Sequence, residues 1–183
     1  IIGLGRIGTL VAKKCRAAFS MKILAFDPYV DRKKTAETGA ELVPLESLLK
    51  DSDFVTIHAP LTKETKNLIG EPQLRLMKPT AFIINMARGS LWDENALLKA
   101  LKEGWIAGAA TDVFVDEPPM PDHPFFSCDK ILLTPHNSAL TKECTFRMAR
   151  DAAQGVIEVL SGKKPTFPAN LHLLKKYGYE VDL

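Results

Sequence analysis

The sequence predicts an α/β fold: a doubly wound parallel sheet with helices on both faces, followed by a C-terminal crossing helix and tail. Three observations predict it. Short apolar runs alternate with helical patterns from residue 1 to residue 134, and strands separated by helices pair in parallel. The run Gly3-Leu4-Gly5-Arg6-Ile7-Gly8 sits where the first apolar run meets the first helical pattern. With 183 residues, 46% of them hydrophobic, the chain can bury one sizeable core and a small appendage.

Each element has its own warrant. Residues 1 and 2 are the end of a first strand. A helix follows over 6–19, with Ile7, Leu10, Val11, Cys15 and Ala18 at helical spacing. Residues 22–26 form the second strand, ended by Asp27-Pro28, and the basic run Arg32-Lys33-Lys34 reads as a solvated helix start. A short third strand at 41–43 precedes a helix at 45–50, and 53–58 is the fourth strand. Residues 80–85, rich in β-branched and aromatic side chains, make the fifth. A helix spans 93–103, with Asp93 near its N-cap and Gly104 closing it. Strands at 106–111 and 131–134 complete the set. Between them Pro118, Pro119, Pro121 and Pro124 stiffen a loop that is expected to lack helix and strand. A long amphipathic helix runs over 141–161, capped by Gly162 and followed by Pro165, and the tail then turns polar. This divides the chain into a sheet domain over 1–140 and a helix and tail over 141–183.

Composition excludes several classes. A formal charge of +2 is spread over mixed-sign segments, so no nucleic-acid partner is expected. No apolar run approaches the length of a bilayer span, so no membrane partner is expected. Cys15, Cys128 and Cys144 have no CxxC spacing, which fits free thiols in a reducing cytoplasm and argues against a metal. The sequence opens without methionine inside an apolar strand, and reads as a fragment lacking an N-terminal portion.

The glycine run carries the first chemical expectation. Gly3, Gly5 and Gly8 let the backbone turn tightly out of a strand, approach a pyrophosphate closely and pack a helix against the sheet, with the helix N-terminus facing the phosphates. Asp27 lies nineteen positions beyond Gly8, where a carboxylate accepts hydrogen bonds from a ribose 2′-hydroxyl and repels a 2′-phosphate. NAD is therefore favoured over NADP.

Ligands of an open parallel sheet bind outside the carboxyl ends of its strands, so polar residues just after strands are the next candidates. Arg88 follows the fifth strand, Asp112 the sixth and His136 the seventh, Glu117 lies in the proline loop, and His58 ends the fourth strand. Arg88 offers a planar fork for a carboxylate, or else a surface ion pair. An imidazole supplies the proton that reduction of a carbonyl by hydride requires. Glu117 is either the carboxylate partner of His136 or a solvent-facing loop acid. Asp112 holds a nicotinamide amide or merely caps local backbone.

Taken together, Gly3-Leu4-Gly5-Arg6-Ile7-Gly8, Phe26-Asp27-Pro28-Tyr29, His58-Ala59-Pro60-Leu61, Asn85-Met86-Ala87-Arg88-Gly89, Asp112-Val113-Phe114 with Glu117-Pro118, and Thr134-Pro135-His136 resemble the D-isomer-specific 2-hydroxyacid dehydrogenases. That family includes D-3-phosphoglycerate dehydrogenase and hydroxypyruvate or glyoxylate reductase. The resemblance implies a Rossmann fold and an NAD-dependent exchange of hydride with a D-2-hydroxyacid/2-oxoacid pair. It further implies that Arg88 binds the substrate carboxylate and carbonyl, that His136 is the acid/base and that Glu117 hydrogen-bonds His136. Arg6, Ile7, Asp27, Pro60, Ala87 and Asp112 would line the NAD site with the glycines. Family members usually form a homodimer through the nucleotide-binding domain, and their first domain, which binds substrate, would precede the glycine motif. The helix from Thr141 would return toward it, and the isolated chain would be inactive. Two positions depart from the pattern: Asn137-Ser138-Ala139-Leu140 follows the histidine where many relatives have small, glycine-containing residues, and Met86 replaces a residue that is often Thr or Cys. The alternative from another class is an NAD-sensing interaction protein of the C-terminal-binding corepressor type, which resembles the dehydrogenases closely.

Overall fold

The computed structural model describes residues 1–30 and 32–168, without the side chains of residues 32–34. The polar tail beyond residue 168 and the side chains of the basic run lie outside the described residues. Ile1–His136 form one compact unit and the chain from Asn137 belongs to a second, so the division falls four residues before the expected boundary at 140.

The first unit contains β1 (Leu24–Ala25), β2 (Glu41–Leu42), β3 (Phe54–Ile57), β4 (Phe82–Asn85), β5 (Gly108–Thr111) and β6 (Ile131–Leu133). Every strand pair is parallel. β1 pairs with β2, and β3, β4, β5 and β6 form a second ladder in that order. Ile2 joins the two ladders by bridging both Phe26 and Ile57. Its N–H donates to the Thr56 carbonyl at 2.9 Å, its carbonyl accepts from His58 N–H at 2.7 Å, and Gly3 N–H donates to the Phe26 carbonyl at 2.8 Å. The chain thus leaves the seam toward β1 and β2 and then crosses back to β3. Ile2 marks the reversal of strand order, and the crevice beyond its carboxyl end is where such sheets receive ligands.

Side-chain alternation sorts the core into two layers. Ile1, Leu4, Ile23 and Ala25 gather with Ala12 of α1 (Arg6–Phe19) on one face. Ile2, Val55, Ile57, Ile83, Ala109 and Ile131 face the other way. There they meet α3 (Leu45–Asp51), α4 (Glu71–Leu74) and α5 (Glu94–Glu103) through Leu48, Leu49, Leu74, Leu97 and Leu101, all fully buried. Each such leucine contributes roughly 1.5–3 kcal/mol by leaving water. On the α1 side of β3 to β6, Phe54, Phe82 and Leu132 remain exposed among the described residues.

Helix α1 corrects one expectation. Its buried residues are Gly8 and Ala12, with Val11 and Cys15 partly buried against the same cluster as expected, whereas Ile7 and Leu10 are 64% and 57% exposed. The reason at the helix start is spacing: a Cβ on Gly8 would lie 2.1 Å from the Gly3 carbonyl oxygen, so the first turn sits too close to the glycine turn for a side chain at that position. α2 (Arg32–Thr38) forms where the basic run predicts a helix start. Helix α5 follows expectation, with Asp93 accepting from Asn95 and Ala96 N–H at 2.9 and 3.0 Å and Gly104 ending it at φ +73°.

Helix α4 has no counterpart in the sequence reading, because a single turn is too short to display a 3.6-residue period. The proline loop is not devoid of helix: Pro124–Ser127 form a 3₁₀ turn, with Pro124 in its first turn where a missing N–H costs nothing. In the second unit, α6 (Lys142–Leu160) is capped by Thr141, whose hydroxyl accepts Cys144 N–H at 3.1 Å. None of its residues is buried.

Candidate active site

Because every strand runs parallel, the segments that follow them emerge along one sheet edge. The glycine turn opens it. Gly3 adopts φ +89°, and a Cβ there would lie 2.8 Å from the backbone of His58 and Ala59. Gly5 differs: it is exposed, and a Cβ would meet nothing within 4 Å. The first intrahelical hydrogen bond joins Thr9 N–H to the Gly5 carbonyl, so the N–H groups of Arg6, Ile7 and Gly8 precede the helical ladder. Arg6 and Ile7 are both exposed beside them. Asp27 is tied to the same turn, its Oδ2 accepting Leu4 N–H at 2.8 Å and its Oδ1 accepting Tyr29 N–H at 2.9 Å. Pro60 lies exposed past β3, its carbonyl accepting the Thr65 hydroxyl at 2.6 Å.

Beyond β4, the fully buried Asn85 fastens the turn that carries Arg88. Its Nδ2 donates to the Arg88 carbonyl at 2.9 Å and its Oδ1 accepts Ala87 N–H at 3.1 Å. Arg88 itself is exposed, with Nη1 donating to the Ala87 carbonyl at 2.6 Å. Gly89 is buried against the next loop: a Cβ there would lie 2.0 Å from Phe114 C and 2.3 Å from Val115 N. The loops after β4 and β5 are therefore packed backbone to backbone. Asp112, 1% exposed, accepts the Thr134 hydroxyl at 2.6 Å, which links the ends of β5 and β6.

Glu117 and His136 meet directly. His136 Nδ1 lies 2.6 Å from Glu117 Oε2, and Glu117 Oε1 accepts Phe114 N–H at 3.0 Å. Burial pushes the Glu117 carboxyl up. The hydrogen bonds from His136 and Phe114, with the charges of His136 and then Arg88, outweigh it and hold the group below the usual glutamate value. A carboxylate has no proton to donate, so Nδ1 is the protonated ring nitrogen and Nε2 is left to exchange protons. The pair borders a cleft of about 380 Å³ lined by Phe114, Phe126, Leu133 and three prolines.

The structure thus gathers Glu117 with His136 and sets Arg88 within electrostatic reach of Glu117. His58 stands apart: its Nε2 lies 3.0 Å from the Thr56 hydroxyl, and burial pushes its imidazole pKa down. Asn85 and Thr134, which the sequence shows only as members of motifs, are the anchors of Arg88 and Asp112. A polar residue closing an otherwise apolar strand was the available signal for Asn85.

Residues 1–138 match the family described as D-isomer specific 2-hydroxyacid dehydrogenase, NAD binding domain. The glyoxylate reductase of Thermofilum pendens is 49% identical over 178 residues, which are 96% of this chain and 52% of that protein. The D-3-phosphoglycerate dehydrogenase of Archaeoglobus fulgidus is 39% identical over 180 residues, 98% of this chain and 34% of that protein. Among solved structures, D-lactate dehydrogenase with NAD+ from Lactobacillus jensenii superposes with a TM-score of 0.81 at 31% identity, covering 91% of this chain and 53% of that one. The chain spans about half the length of the glyoxylate reductase it matches. By motif, fold and sequence, the chain belongs to the D-isomer specific 2-hydroxyacid dehydrogenases and carries their NAD binding domain.

Proposed function

We propose that the protein containing this chain is an NAD-dependent oxidoreductase that interconverts a D-2-hydroxyacid and a 2-oxoacid of the phosphoglycerate, hydroxypyruvate or glyoxylate class. The observation that carries the reading is the 2.6 Å contact between His136 and Glu117, with Arg88 acting on the same carboxylate. The named relatives are enzymes and lend the interaction-protein alternative no support.

The residues at the glycine turn fit a dinucleotide. Gly5 presents open space beside helix N–H groups that precede the ladder, the geometry that receives a pyrophosphate. Gly3, Gly5, Arg6, Ile7, Gly8, Asp27, Pro60, Ala87 and Asp112 are the proposed NAD contacts. Asp27 still has lone pairs beyond its two backbone bonds with which to accept ribose hydroxyls. Bound NAD supplies the hydride acceptor or donor.

The chain's own groups supply the rest. Arg88 binds the substrate carboxylate through its guanidinium fork and polarises the adjacent carbonyl. His136 Nε2 gives a proton to the new alkoxide during reduction and takes it from the hydroxyl during oxidation. Glu117 holds Nδ1–H and so fixes the ring tautomer and orientation. The helix capped by Thr141 is proposed to return toward a substrate domain outside this chain. Without that domain water reaches the cleft, and the isolated chain is expected to be inactive. A cytoplasmic homodimer formed through this domain completes the proposal.

The test is a full-length protein carrying His136→Ala. Turnover of 2-oxoacids is expected to disappear while NADH binding stays within about threefold of wild type. Retained turnover removes His136 from the acid/base role.

A further inference from the structure

Behind the Glu117 and His136 pair stands a second glutamate–histidine pair. Glu94, the first residue of α5, accepts Val115 N–H through Oε1 at 3.0 Å. Its Oε2 lies 3.3 Å from His123 Nε2. His123 Nδ1 in turn accepts Phe125 N–H at 3.3 Å, capping the 3₁₀ turn. With Nδ1 used as an acceptor, the ring proton sits on Nε2 and points the donor at Glu94. The imidazole is wedged edge-on against Phe114 and Phe125, with ring centres 5.3 and 4.9 Å away. Both side chains are largely shielded, at 17% and 18% exposure.

What this pair holds is the stretch of backbone on which the candidate active site rests. Consecutive N–H groups divide between the two glutamates: Phe114 donates to Glu117 and Val115 to Glu94. Gly89, one residue beyond Arg88, presses on those same two residues with no room for a methyl group. A displacement of Val115 therefore reaches Glu117 through Phe114 N–H and reaches Arg88 through Gly89.

We propose that Glu94 and His123 are positioning residues that fix the backbone of Phe114 and Val115, and so hold Glu117 on His136 and Arg88 beside them. This rests on the dehydrogenase reading above. The side-chain hydrogen bonds of Glu94 and His123 go to Val115, to Phe125 and to each other, so both act through the loop.

The experiment compares H123A, H123N and E94A in the full-length protein. H123A and E94A are expected to lower kcat for a 2-oxoacid by about tenfold or more, since misplacements near 1 Å cost up to about a hundredfold, with KM for NADH within about twofold. Asparagine can accept Phe125 N–H and donate to Glu94, so H123N is expected to recover kcat to within about threefold of wild type. A loss of fold alone would lower stability and NADH binding together and would show no such recovery. Folded H123A and E94A enzymes with kcat within about twofold of wild type would overturn the proposal, as would H123N as impaired as H123A. Crystal structures separate this proposal from the activity it rests on. In E94A, or in H123A if E94A does not fold, the His136 to Glu117 separation is expected to open past hydrogen-bond reach. Retention of the 2.6 Å contact overturns the positioning role even if no 2-oxoacid turns over.

Discussion

Replacing Gly89 with alanine tests whether the loops after β4 and β5 set the reacting geometry. The added Cβ would lie 2.0 Å from Phe114 C, 2.1 Å from its oxygen and 2.3 Å from Val115 N. Nonbonded carbons rest about 3.5–4.0 Å apart, so the two backbones must separate by roughly 1.5 Å. Neither side can yield by a rotamer change, because every atom involved is main chain. The strain corresponds to an overpacked site, about 1–3 kcal/mol of stability. The catalytic effect is of similar size: a shift above 1 Å between Arg88 and the Glu117–His136 pair is worth about a hundredfold in rate, or roughly 2.7 kcal/mol of barrier. Steady-state NADH oxidation by the full-length G89A protein reads the rate, a urea unfolding curve reads the stability, and NADH fluorescence reads the cofactor side. The expected pattern is a rate loss near a hundredfold, with NADH affinity changed by no more than about threefold. A folded G89A enzyme turning over at the wild-type rate would refute the idea that the two loops share one position.

Three further changes probe other parts of the site. Asp27→Ser removes the charge that opposes a 2′-phosphate, and the affinity ratio of NADPH to NADH is expected to rise by about tenfold or more in fluorescence titrations; an unchanged ratio contradicts the placement of Asp27 at the ribose. Thr134→Val takes a hydroxyl donor from the buried Asp112 carboxylate, 2.6 Å away, and is expected to cost about 1–3 kcal/mol in urea unfolding; a neutral result means that the bond contributes nothing. Glu117→Gln has a pH signature: the folded carboxyl titrates below the ordinary glutamate value of 4.5, so its stabilisation is present above that value and is lost as pH falls through the lowered folded pKa. The stability gap between wild type and E117Q should hold near neutrality and close in acid, and a gap that persists or widens in acid would show that Glu117 is not held ionised by its neighbours.

Much of this architecture could be read before any coordinates. The strand-to-helix rhythm located the six strands of the described residues and helices α1, α3, α5 and α6 to within a few residues, because buried strands and amphipathic helices write their periods into the chain. Helix faces were harder. Ile7 and Leu10 have the spacing of a core face, yet α1 buries Gly8 and Ala12, since close approach to the glycine turn outweighs apolar area. Loop geometry was the least accessible part. Nothing in the residue pattern distinguishes Glu94 from any acidic residue in the first turn of a helix, or His123 from any loop histidine. Their pairing depends on how the segment from Phe114 to Phe126 folds back on α5. Arg88 and His136 could be singled out because each follows a strand of a parallel sheet, and Glu117 because it lies in the loop between two such strands. Residue pattern alone left Glu117 between a partner of His136 and a solvent-facing acid; the family resemblance implied the pair, and the structure has it at 2.6 Å.

We propose that Arg88, Glu117 and His136 form one reacting centre beside a bound nicotinamide. NADH oxidation by the full-length protein across a panel that includes glyoxylate and hydroxypyruvate tests it most directly. Turnover is expected with at least one 2-oxoacid, falling by about a hundredfold or more when Arg88 is replaced by alanine. NADH binding with no turnover anywhere in the panel would contradict it, as would an Arg88→Ala enzyme as fast as wild type.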